Sequence, residues 1–128
     1  DHGIIAYSDH SYIVLNRFPY TNGHLLVIPY LHEGDVDRLP QDVQEDLHRM
    51  LMRAVSLLKR AYGCRAMNIG MNMGAAAGAG IAAHLHYHVL PRWEGDTNFM
   101  PVIGGTKVIP ESLDDVYQRL KAAWSNDA

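Results

Sequence analysis

The chain has 128 residues, a formal net charge of −3, and hydrophobic and charged fractions of 48% and 20%. That is one domain's worth of ordinary globular composition, without the basic excess that binding nucleic acid or anionic membrane through the whole surface requires. A single cysteine, Cys64, excludes an internal disulfide and an internal four-cysteine zinc site, and no run approaches the ~18 apolar residues of a membrane span. A cytoplasmic protein with no nucleic-acid and no membrane partner is expected; no signal peptide is visible, although the chain opens at Asp1 rather than Met.

In chain order, residues 3–8 and 12–15 read as short strands broken by the turn-forming Asp9, His10 and Ser11. Residues 17–22 form a loop marked by Pro19 and Asn22, and 24–28 an apolar strand ended by Pro29. Short links between these strands predict an antiparallel meander. After a polar connection over 30–40, a helix is predicted over 40–62. Val43, Leu47, Met50, Leu51, Ala54, Leu57, Leu58 and Ala61 recur at helical spacing, with Gln41, Glu45, Arg49, Arg53 and Lys59 outside. Pro40 suits the first turn, Asp42 and Glu45 the positive end, and Gly63 the stop. Methionines on this helix are read as core packing.

Residues 65–73 predict a further strand, with Met67, Ile69, Met71 and Met73 alternating against Asn68, Gly70 and Asn72. A loop of small residues over 74–80 follows. Small residues admit close backbone approach to a ligand, and consecutive N–H groups can cradle an anion. This is no P-loop, because no Gly-Lys-Ser/Thr follows. After Trp93 come a long polar loop and a helix over 110–124, whose apolar stripe is Val116, Leu120 and Ala123 with Leu113 and Tyr117 beside it. The order strands, helix, two strands, helix gives an α+β fold, an antiparallel sheet with one long helix on one face and a C-terminal helix. A single domain over residues 1–128 is expected.

The run His84-Leu85-His86-Tyr87-His88-Val89-Leu90-Pro91 organises the chain. A strand would put His84, His86 and His88 on one face, about 6.6 Å apart, with the β-branched and aromatic residues on the other and Pro91 as its stop. Such a row serves metal binding, or nucleophilic attack on phosphorus by one imidazole while others orient it and handle protons. A polar strand face of satisfied histidines is the third option.

Residues 84–90 fit His-φ-His-φ-His-φ-φ, with φ apolar, and so resemble the signature of the histidine triad (HIT) family of nucleotide hydrolases and transferases. The block from Asn16 through Pro19, Asn22, Gly23 and His24 to Pro29 resembles that family's second motif. Residues 95–102 and 106–111 resemble a bacterial branch with diadenosine tetraphosphate phosphorylase-like members. The resemblance implies a HIT-like sheet, and a homodimer with ten strands in all. It implies His86 as nucleophile on the α-phosphorus, forming a nucleotidyl-imidazole, flanked by His88 and His24. Asn16 would bind the ribose hydroxyls, and Asn72 with the backbone around Ala79 and Gly80 the phosphates. His84 joins the substrate-facing set, Arg92 would stabilise phosphate, and Trp93 would either stack on a base or pack. Without the resemblance, Asn16 is a turn residue and His24 a satisfied strand histidine.

One departure stands out. Many members carry Gln and then Ser or Thr shortly before the first histidine, where this chain has Gly80 and Ile81. No side-chain hydroxyl is supplied there, which leaves water and orthophosphate both open as acceptors. Many bacterial members hold a structural zinc through a Cys-x-x-Cys pair, a histidine at the position of His32 and a triad-region histidine. This chain has no such pair, so no metal or other cofactor is expected unless a segment ahead of Asp1 supplies the cysteines.

The expected activity is cleavage of a phosphoanhydride at the α-phosphate of a dinucleoside polyphosphate. A phosphoramidate or aminoacyl-nucleotide hydrolase is the enzymatic alternative. A zinc- or adenosine-binding protein without turnover is the other.

Overall fold

A computed structural model describes residues 3–17, 22–74, 84–94 and 111–125. Its elements are β1 (Ile4–Tyr7), β2 (Ser11–Leu15), β3 (Leu25–Pro29), a 3-10 turn (Val36–Arg38), α1 (Gln41–Tyr62), β4 (Ala66–Gly70), β5 (Tyr87–Arg92) and α2 (Leu113–Ser125). The strands form one sheet in the order β1-β2-β3-β5-β4, antiparallel at every pairing. The expected α+β class and the β1–β3 meander are both observed. Among the described residues, no helix is long and apolar enough to cross a membrane.

Alternation decides which sheet face is covered. Ser11, Ile13 and Leu15 of β2 and Leu25, Val27 and Pro29 of β3 are buried, while the residues between them are half-buried. The buried set meets α1, whose Val43, Leu47, Met50, Leu51, Ala54, Leu57 and Leu58 are all buried, as the helical spacing predicts. Gly63 ends α1 in the left-handed conformation, its N–H bonded to the Lys59 carbonyl. Pro40 stands at the N-cap, one position ahead of the predicted first turn. The opposite sheet face carries Tyr7, Tyr12 and Tyr30, with ring centroids 5.4–6.4 Å apart.

One polar residue interrupts the apolar stripe of α1. Asp46 is buried and accepts hydrogen bonds from Ser8 Oγ (2.5 Å), Ser11 Oγ (2.8 Å) and the His10 amide (3.2 Å). Burial alone would raise its pKa, but those three donors outweigh burial and hold it below the usual carboxylate value. The β1–β2 turn is thereby fastened to the helix.

Three predicted boundaries are corrected. β4 ends at Gly70 rather than residue 73, because its partner β5 begins at Tyr87 and the register closes at Gly70 opposite His88. α2 begins at Leu113 rather than 110: the Ser112 hydroxyl accepts the Asp115 amide (3.1 Å), an N-cap that sets the start. The strand predicted over 84–90 begins only at Tyr87, and Pro91 lies within it. The pairing of β5 with β3 stops at Val89, so Pro91 sits where only β4 flanks the strand and a missing donor is tolerated.

Candidate active site

The histidines gather because of sheet register. Leu15 pairs with Leu25, and the next step of the same ladder bonds the Asn16 amide to the His24 carbonyl (2.9 Å). Asn16 and His24 are therefore direct cross-strand neighbours, and the Asn16 side-chain nitrogen stands 3.2 Å from His24 Nδ1 and 3.3 Å from Nε2. His88 pairs with Leu26, which puts it diagonal to His24 on the same face. His24 Nε2 and His88 Nδ1 are 2.9 Å apart. His88 in turn meets His86, with ring centroids 5.0 Å apart and the planes nearly perpendicular. Gly23 (φ 83°) makes the seat of His24 possible: a Cβ there would lie 3.0 Å from the Tyr62 ring and 3.2 Å from Pro91.

Protonation follows from these partners. A backbone carbonyl only accepts, so His86 Nδ1, 3.1 Å from the His84 oxygen, carries its hydrogen. In neutral His86 the lone pair is then on Nε2. An amide nitrogen only donates, and that of Asn16 stands within 3.3 Å of both His24 ring nitrogens. His24 Nε2 and His88 Nδ1 share one hydrogen across their contact. Desolvation, followed by the charges of His88 and His86, lowers the pKa of fully buried His24 to about 4. Burial and then His86 lower that of His88. Both rings are neutral at pH 7.

His84 departs from the predicted shared face. It precedes the strand, donates Nε2–H to the Pro29 carbonyl (2.8 Å) and sets its ring edge-on to His32, centroids 5.0 Å apart. The next residue explains why: the Leu85 amide bonds the Glu33 carbonyl, and Leu85 is buried in the core, so the chain here follows residues 29–33 rather than the sheet.

Of the other expected site residues, Asn72 is exposed, two positions past the end of β4. Arg92 lies at the far end of β5 and donates to the Asn68 side chain on β4. Trp93 is set edge-on to Tyr62, centroids 6.1 Å apart. Ala79, Gly80 and the small-residue loop from 75 onward lie outside the described residues, as do residues 95–110. Among the described residues, no group of three or more His, Cys, Asp or Glu side chains is arranged to hold a metal ion. His32 and His84 could offer two nitrogens at most, and Cys64 is buried with its thiol on the Leu58 carbonyl.

A cleft of about 400 Å³ adjoins Asn16, lined by Gly3, Leu15, Asn16, Arg17, Leu113, Asp114 and Tyr117. Only Asn16 among these was marked as a site residue from the sequence. The cleft joins the end of β2 to α2 across most of the chain, and no local motif records that.

A family model described as a HIT domain matches residues 1–95. An AP-4-A phosphorylase from Mycobacterium tuberculosis is 38% identical over 122 residues, which are 95% of this chain and 63% of that protein. The chain thus spans under two thirds of that relative's length. Among solved structures, a hypothetical histidine triad nucleotide-binding protein from Sulfolobus tokodaii superposes with a TM-score of 0.79 at 24% identity, over 96% of this chain and 83% of that one. A zinc-bound histidine triad family protein from Mycobacterium smegmatis gives a TM-score of 0.70 at 25% identity, over 95% and 83%.

Proposed function

This chain belongs to the HIT family, and on that premise we propose that it cleaves a phosphoanhydride at the α-phosphate of a dinucleoside polyphosphate through a nucleotidyl-His86 intermediate. The observation that carries the proposal is the His86 Nδ1 bond to the His84 carbonyl, which leaves Nε2 with the lone pair a nucleophile needs.

In the first step, His86 Nε2 bonds the α-phosphorus as the bond from phosphorus to the bridging oxygen breaks. The ring becomes cationic, and the His84 carbonyl, accepting from Nδ1, stabilises that charge. His88 offers Nε2–H to a phosphate oxygen or to the departing oxygen, and its own Nδ1 is held by His24 and, behind it, Asn16. In the second step an acceptor oxygen bonds phosphorus and the N–P bond breaks, returning neutral His86. Phosphoryl chemistry of this kind depends chiefly on positioning and charge stabilisation, which a fixed chain of imidazoles provides. The name of the mycobacterial relative supports diadenosine tetraphosphate as the substrate and orthophosphate as the first acceptor to try.

The test is to give the purified chain diadenosine tetraphosphate with and without orthophosphate and to identify products by mass spectrometry. ADP with ATP, only when phosphate is present, means a phosphorylase; AMP with ATP means a hydrolase. Rapid quenching should trap one nucleotidyl group on the wild type and none on His86→Ala. Turnover without any such adduct would remove the proposed intermediate. We also propose that residues 1–128 act as one domain in a cytoplasmic homodimer. The edge strand β4 supports the dimer, since four of its five residues are exposed and, among the described residues, one side of its ladder faces no other strand. Light scattering should give twice the chain mass.

A further inference from the structure

The family match ends at residue 95, yet α2 at 113–125 forms one wall of the cleft beside Asn16. We infer that this C-terminal helix reads the nucleobase: Tyr117 and Leu113 hold the ring, and the Asp114 carboxylate accepts from an exocyclic amino group, selecting adenine over hypoxanthine. The inference rests on the nucleotide reading above and adds to it which residues choose the base.

Connectivity of the ligand is the first support. In a nucleoside monophosphate the order is phosphate, ribose, base. With phosphorus at His86 and His88, and ribose at Asn16, the base must continue past Asn16, where the cleft opens. A volume of about 400 Å³ lies in the range of small-molecule sites. The lining suits a purine: an aromatic ring and two leucines for its faces, a carboxylate for a donor on its edge. Leu113 and Tyr117 are four residues apart and Asp114 and Tyr117 three, so all three side chains share one side of α2.

The wall is also held firmly. Val116 and Leu120, next to Leu113 and Tyr117 on α2, are buried in the core. Lys121 Nζ donates to the Ile5 carbonyl (3.2 Å), and the Arg53 guanidinium lies 4.2 Å over the Trp124 ring. At the N-terminal end Glu111 accepts from Tyr62 Oη (3.2 Å) and from Arg119. The helix that carries Asp114 is thereby fixed, although Asp114 itself is exposed. Adenine presents an amino group at position 6, whereas hypoxanthine presents a carbonyl oxygen, acceptor against acceptor.

The experiment is calorimetric titration of the full chain with AMP, IMP and ribose 5-phosphate, in wild type, Asp114→Asn, Tyr117→Ala and Tyr117→Phe. Wild type should prefer AMP to IMP about tenfold, and Asp114→Asn should bring the ratio near unity, since an amide both donates and accepts. Tyr117→Ala should weaken AMP about tenfold, while Tyr117→Phe, which keeps the ring, stays within about threefold of wild type. Ribose 5-phosphate has no base, so it should bind all four proteins alike. An unchanged AMP/IMP ratio in Asp114→Asn, or an equal loss of ribose 5-phosphate in Tyr117→Ala, overturns the inference while the nucleotidyl-His86 assay still stands. If wild type neither binds AMP nor forms the adduct, the nucleotide reading falls and the inference with it.

Discussion

Two imidazoles of one alternating run meet a backbone carbonyl, but with opposite nitrogens. His84 donates Nε2–H to Pro29, so in its neutral ring the lone pair is on Nδ1, next to its own main chain. His86 donates Nδ1–H to His84, so its lone pair is on Nε2, the ring's outer end. The same bond, turned round, makes an anchor of one histidine and leaves the other with the outward lone pair that the proposed nucleophile needs. Residue type and spacing are identical for both. What differs is the carbonyl each ring can reach.

The sharpest way to break this distinction is substitution of each ring in turn. If the proposed mechanism holds, His86→Ala should lower the turnover of diadenosine tetraphosphate by at least about three powers of ten, since in it His86 supplies the bond to phosphorus. His84→Ala should cost less than about tenfold. Similar losses in a coupled ATP-release assay would mean that both rings work on the substrate.

The buried end of the imidazole chain should also respond to pH. The pKa of His24 is about 4 in the folded chain and near 6.5 when unfolded, because burial and then the neighbouring His88 and His86 disfavour its charge. Between those values the unfolded state binds the extra proton, so stability falls as pH falls from 6.5 towards 4 and is fully present above that window. The loss is on the order of 3 kcal/mol for this one group. His88, also lowered, adds in the same direction. Melting curves from pH 7 to 4.5 should show a clearly flatter slope in His24→Gln than in wild type. A His24→Gln slope as steep as wild type would mean that the acid sensitivity has another source.

A smaller effect is expected at Asn16, at the outer end of the same chain. Its amide can serve both vicinal hydroxyls, and a site built for a hydroxyl discriminates against the analogue without it. The ratio of kcat/KM for ribo- over 2′-deoxyribo-substrates should fall about tenfold in Asn16→Ala. If the ratio is unchanged, Asn16 serves His24 alone.

The smallest effect belongs to the anchor. His84→Leu removes one hydrogen bond to Pro29 and should lower the unfolding free energy by about 1 kcal/mol, with His84→Gln, which retains a donor, recovering part of it. Denaturant titration at pH 7.5 resolves that difference. A loss of several kcal/mol would show that His84 holds much more than one carbonyl.

Much of the fold was legible because its signals are local and periodic. The buried positions of α1 follow from 3.6-residue spacing, and the meander from short links between apolar runs. Asp46 was not legible as a core residue. A carboxylate in the apolar stripe is tolerated only because Ser8, Ser11 and the His10 amide are brought to it from a turn more than thirty positions away.

The candidate site divides along the same line. The family resemblance implied His24, His86 and His88 as the reacting group with Asn16 beside them, and the fold brings these four side chains together. Where each ring points was decided in three dimensions. The Glu33 carbonyl captures the Leu85 amide and delays β5 to Tyr87, and the Pro29 carbonyl takes His84 out of the row. The His84 carbonyl then fixes the tautomer of His86. The cleft beside Asn16 exists only where α2 returns to the end of β2. Periodicity reports how one segment meets water and core, whereas these features depend on which distant carbonyl or side chain satisfies a given group, and only the assembled chain determines that partner.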